Sequence, residues 1–151
     1  MIFADVILQA KDDPQRLRLL GLPVVPGGRR DLKFAQPCAA LDGCRCRIYA
    51  DRPRYCHEFE CILLKNVMAA RLSQDAALAI IRNAREKADM VRSLLRRLGD
   101  NDEQLALAAR FRKMTKKFES EELTEETAEL YGQLTLAVHD LNSLLSEAFY
   151  R

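Results

Sequence analysis

No cysteine lies outside residues 38–61, no proline follows Pro53, and the only glycines after Pro53 are Gly99 and Gly132. With the usual helix breakers missing, the last two thirds of the chain are free to be helical. No apolar run approaches the ~20 residues that a membrane-spanning helix needs, so a membrane partner is not expected. The N-terminal residues lack the basic segment and apolar core of a secretory signal, which favours a cytoplasmic location. Net charge is only +2, which gives no basic footprint, and nucleic acid is not an expected partner. No phosphate-binding glycine loop is present, because Gly27-Gly28 lacks the following Lys-Ser/Thr and the strand–helix setting. The serines of the helical half have no convincing His/Asp partner, and no methyl-donor pattern is visible. No catalytic residue and no organic cofactor are therefore assigned, and whether the chain is an enzyme stays open.

What is there is an ordinary globular composition. At 48% apolar and 30% charged residues, the 151-residue chain is not disordered and is long enough to bury a core. Residues 1–8 are short, apolar and β-branched and read as a strand. Asp12-Asp13-Pro14 opens a turn or a short helix over Gln15–Leu20, and Asp31–Ala35 reads as a second short strand. Gly21 and Pro26-Gly27-Gly28 punctuate the region between. A helix is expected from about His57 to Arg71. Ser73 is the expected cap of the next, Gln74–Leu98, whose apolar residues Ala77, Ile81, Ala84, Ala88, Val91, Leu95 and Leu98 repeat at 4-3 spacing. Gly99 ends it. Asp100 or Asn101 is expected to cap a third helix with the stripe Leu107, Phe111, Met114, Phe118. Thr124 caps the last, where Leu130, Leu134, Ala137, Leu141, Leu144 and Ala148 repeat the 4-3 spacing. Such seams suit an antiparallel bundle, and they equally suit a homodimer or an unknown protein partner joined through the helices.

The five cysteines, Cys38, Cys44, Cys46, Cys56 and Cys61, are spaced C-x5-C-x-C-x9-C-x4-C. In a cytosolic chain thiols stay reduced, so such crowding points to metal binding ahead of a disulfide or redox switch, or of inert buried thiols. Thiolates are soft ligands for zinc, copper(I) and iron–sulfur clusters. The Asp42-Gly43 turn aims the next cysteines into one space, and Arg52-Pro53 makes a stiff return to Cys56. His57 and Cys61 are four apart and would share a helix face. The spacing is not that of a paired zinc ribbon, so zinc and iron, including an iron–sulfur cluster, both remain candidate cofactors.

Cys38-x-x-Leu41-Asp42, Cys46-x-Ile48-Tyr49, Arg52-Pro53-x-x-Cys56 and Phe59 resemble the second half of the YkgJ-type cysteine-cluster family, a zinc- or iron-chelating domain. The resemblance covers about residues 1–70. It implies that Cys38, Cys46 and Cys56 are metal ligands; Cys44 and Cys61 carry over less directly. The family includes a branch resembling flagellin lysine N-methylases, which keeps an enzyme, or an accessory part of a protein lysine methylase, among the readings. The family usually opens with a C-x2-C-x2-C-C segment. Here Phe3-Ala4-Asp5-Val6 resembles the family's residues just C-terminal to that segment, so the chain is expected to start late relative to the family. The family commonly has arginine where this chain has His57, which makes His57 an additional candidate ligand.

Tyr49 and Arg52 are candidates to bind an anion or substrate beside the metal, or else a packed tyrosine and an arginine that orients a ligand. The basic runs Arg82–Arg97 and Arg110–Lys117 read as solvated helix faces, and His139 as a helix-surface residue. The expected architecture is mainly α. An irregular cysteine-rich lobe over 1–61, with at most a small β-hairpin, packs on an antiparallel helical bundle over 62–151. The expected function is that of a cytosolic metal-binding protein in a structural, storage or redox role. The alternatives are a metal- or redox-dependent enzyme, and a helical interaction module in which the metal is purely structural.

Overall fold

A computed structural model describes residues 5–28, 31–43 and 45–150. The chain divides into two compact units. One takes in the described residues up to Phe59 together with Gln104–Ala106. The other holds Glu60–Glu103 and Leu107 onward.

The first unit is built on strands. β1 (Asp5–Ile7), β2 (Val25–Pro26) and β3 (Leu32–Ala35) form an antiparallel sheet in the order β1-β3-β2, with Val6 opposite Phe34 and Val25 opposite Lys33. A separate hairpin pairs β4 (Leu41–Asp42) with β5 (Arg45–Cys46). The unit thus holds more β-structure than the single hairpin expected. β2 is only two residues long and ends on Pro26, a residue that reads as a breaker in sequence and is tolerated here because it lies on an edge strand. The first four residues of the expected N-terminal strand lie outside the described residues.

Helix α1 (Pro14–Leu19) starts where Asp13 accepts the Gln15 and Arg16 N–H groups, and it ends at Gly21, whose φ of 88° suits glycine. Val6, Leu17, Leu22, Val24, Phe34, Ala40 and Ile48 form the core of the unit. Helix α2 (Arg54–Glu58) follows Pro53.

The second unit is helical. It comprises α3 (Ile62–Met68), α4 (Gln74–Arg97), α5 (Leu107–Glu119) and α6 (Glu125–Leu145), with a π-helical turn over Ser146–Tyr150. With α1 and α2 these make six α-helices among the described residues, so the chain is mainly α with a small antiparallel sheet. None of the helices among the described residues is long and apolar enough to cross a membrane.

Ser73 and Thr124 cap α4 and α6 through their hydroxyls, as expected. Gly99 at φ 86° ends α4. Val91, Leu94 and Leu95 of α4 with its C-cap Leu98, Met114 of α5, and Leu134 and Leu141 of α6 form one buried cluster. Phe111, Phe118, Leu130 and Ala137 pack against it. The C-terminal half of the first seam, from Ala88 to Leu98, and the stretch of the last from Leu130 to Leu141 therefore share one core.

Two helix expectations need correction. The helix expected over His57–Arg71 is two helices, because Phe59 is extended (φ −71°, ψ 116°) and Cys61 is the cap of α3. His57 and Cys61 therefore do not share a helix face. The third helix starts at Leu107 and not beside Asp100 or Asn101. Asp100 is buried instead, and its carboxylate accepts from Arg110 Nε at 2.7 Å. Arg110, read as part of a solvated basic face, is only 1% exposed.

Candidate metal centre

Three local devices deliver three cysteines to one place. Cys38 precedes the β4–β5 hairpin and is tied to it, because its carbonyl accepts the Leu41 N–H at 2.9 Å. Gly43, at φ 55°, makes the turn that brings β5 back, so Cys46 stands opposite Leu41. The chain then passes through a 3-10 turn at Tyr49–Asp51 to Arg52 (φ −62°, ψ 149°) and Pro53 (φ −57°, ψ 153°). Both are extended, as a residue before proline and a proline favour. This rigid step sets Cys56 in the single short helix α2. The start of α2 is pinned by Asp12, whose carboxylate accepts the Arg54 N–H at 2.8 Å.

Cys38, Cys46 and Cys56 are free, half-buried, packed against the core of the first unit, and line one cavity of about 590 Å³. Burial pushes the Cys56 thiol above its ordinary pKa. The neighbouring Cys38 and Cys46 push the same way, the Arg52 charge pulls it down, and Asp12 adds a smaller upward push. Among the described residues no three His, Cys, Asp or Glu side chains stand close enough together to hold a metal ion. The three sulfurs thus border the cavity without forming a closed ligand shell. Their donor type suits zinc or iron, and ligation requires drawing them inward.

The other candidates are placed differently. Cys44 lies outside the described residues. Cys61 belongs to the second unit, where its Sγ accepts the Leu64 N–H at 3.4 Å and caps α3. His57 and His139 are exposed on their helices.

Tyr49 is 63% exposed, so it is not the packed tyrosine of the alternative reading. The Arg52 guanidinium stacks over its ring, 3.8 Å from the centroid. Arg52 Nε is buried and has no hydrogen-bond partner among the described residues.

Gln36 and Arg45 also line the cavity and were not singled out in the sequence. Arg45 had a signal, since it sits between two cysteines on the returning hairpin strand. The walls Leu22 and Phe34 had none, because core packing, and not sequence spacing, brings them in from a distance. Comparison with protein-family models, with curated proteins and with solved structures finds no match to this chain.

Proposed function

We propose that the first unit binds zinc or iron through Cys38, Cys46 and Cys56, in the reduced cytosol, in a structural, storage or redox role. The observation that carries this reading is that three free thiols, supplied by three separate elements, line a single cavity. The resemblance to the YkgJ-type cysteine-cluster family supports the same three residues. A bound zinc ion would cross-link the three elements, and iron would add one-electron chemistry. The protein's own part is to hold the thiols on a hairpin, a loop and a proline-stiffened helix start. Metal ligands must be thiolates, so the raised Cys56 thiol makes binding favour higher pH, with a proton released on ligation.

The test is anaerobic reconstitution with zinc or ferrous iron, with and without sulfide, followed by absorbance and bound-metal measurement. Cys38→Ser, Cys46→Ser and Cys56→Ser should each lose metal, and Cys61→Ser should keep it. A visible charge-transfer band that requires sulfide marks an iron–sulfur cluster; zinc and ferrous thiolate sites are both nearly colourless, and the bound-metal measurement tells them apart. Equal loss in all four variants would make Cys61 a full ligand and sink the three-thiol assignment. Metal retained in all of them would remove the metal reading.

A further inference from the structure

We propose that the cavity beside the thiols is a binding site for a small organic acid, an apolar body carrying one carboxylate, held by the in-plane N–H edge of Arg52. The cavity's size, about 590 Å³, lies in the range of small-molecule sites and far exceeds what a bare ion fills. Its walls are mostly apolar: Leu22, Phe34, Leu41, Ile48 and Pro53. Besides the thiols, the residues with polar groups on the wall are Gln36, Arg45, Tyr49 and Arg52, and no carboxylate is among them.

Arg52 supplies the orientation. Its π-face is taken by Tyr49, which leaves the edge of the guanidinium as the bonding surface. On that edge Nε is buried, and neither an oxygen nor a sulfur accepts from it among the described residues. A buried donor without an acceptor is costly, and a carboxylate matches the guanidinium fork in shape and charge. The nearby acids are committed elsewhere. Asp12 accepts from the Gln9 and Arg54 N–H groups, and Asp51 pairs with Arg16. The guanidinium fork suits a carboxylate, and the apolar side chains beside it favour a ligand with an apolar body over inorganic phosphate, which has none. The backbone also fixes Arg52, because Pro53 holds it extended between the 3-10 turn and α2. The carboxylate contacts use no metal, and binding to the metal-loaded and the metal-free chain separates this site from the reading above.

The experiment uses the full chain, reduced, both as isolated and after chelator treatment. The probes are 4-phenylbutanoate, octanoate, the neutral amide 4-phenylbutanamide, and inorganic phosphate. Binding is read by calorimetry and by the ¹⁵N–¹H resonance of Arg52 Nε. At least one carboxylate should bind saturably with Kd below about 1 mM and move the Arg52 Nε resonance. Arg52→Gln should weaken it by about tenfold or more, with Arg52→Lys between, and the amide should be at least about tenfold weaker than its acid. The Nε resonance of the unmutated chain keeps the test valid should Arg52→Gln misfold. The proposal is overturned if neither carboxylate binds in either form, if the amide equals its acid, or if binding leaves the Arg52 resonance unmoved. Phosphate moving that resonance as strongly as the carboxylates would overturn the organic-acid assignment. Carboxylate binding by chain that takes up no metal would uphold this site while removing the metal reading.

Discussion

Arg110 and Asp100 place two opposite charges inside the helical unit, with side chains only 2% and 4% exposed and 2.7 Å apart. Arg110 also donates through Nη2 to the Asp100 carbonyl at 2.8 Å, so the pair closes the turn after α4 onto α5. Removing one partner leaves the other charge buried and alone. Arg110→Leu should therefore cost about 3–5 kcal/mol in chemical denaturation. An unchanged midpoint would show that the pair holds nothing.

Burial pushes the Asp100 carboxyl up. The Arg110 hydrogen bond, the Asp102 N–H and the Arg110 and Lys113 charges outweigh it and hold its pKa below the usual range. A carboxylate depressed in the folded state stabilises fully above its unfolded pKa of about 4, and that stability disappears as pH falls through the lower folded value. Melting temperature should thus drop below about pH 4. In Asp100→Asn that part of the acid dependence should be absent. Arg110 looked like surface in sequence because it sits in a run of lysines and arginines, and its partner is ten residues away, outside any helical spacing.

The helix ends show how far local sequence carries. Three helices finish in the same paired-bond turn. After α1, Gly21 N–H bonds Arg18 and Leu22 N–H bonds Leu17. After α4, Gly99 bonds Arg96 and Asp100 bonds Leu95. After α3, Ala70 bonds Val67 and Arg71 bonds Asn66. Two of these stops were legible because they are glycine. The third was not, because Ala70 holds φ 55° without being one. Ala70→Gly should raise stability by up to about 1 kcal/mol, and Gly99→Ala, whose added Cβ meets nothing within 4 Å, should lower it by about 1–2 kcal/mol through backbone strain alone. A loss in the first or no change in the second would contradict the assignment.

The break between α2 and α3 was hidden for a related reason. No proline or glycine marks Phe59–Cys61, and a cysteine cap is an unusual signal. The seams were legible, since 4-3 spacing survives any detail of the ends. Leu95, fully buried in the α4–α5–α6 cluster, should tolerate Leu95→Asp least, with a loss of at least about 3 kcal/mol in the melt of the helical unit.

At the scale of the whole molecule the two units rest on different forces. The helical unit has long amphipathic helices and a continuous apolar cluster. The first unit has strands of two to four residues and a small core, and its thiols border a cavity wide enough for a ligand. The crowding of cysteines marked the stretch that borders this cavity. The resemblance named Cys38, Cys46 and Cys56, the three that line the cavity; spacing alone did not set them apart from Cys61, because that depends on strand pairing and on where a helix breaks.

If metal draws Cys38, Cys46 and Cys56 together, chelation should make residues 36–56 more sensitive to limited proteolysis and leave helicity by circular dichroism nearly unchanged. Equal proteolysis with and without chelator would separate the metal from the order of this unit.

The most direct measurement is the metal content of chain purified without oxygen and resupplied with zinc or iron, compared with the Cys38→Ser/Cys46→Ser/Cys56→Ser triple variant. The expected result is uptake approaching about one ion or cluster per chain and none above background in the triple variant. Uptake undiminished in the triple variant, or absent from the unmutated chain at every metal offered, would contradict the account.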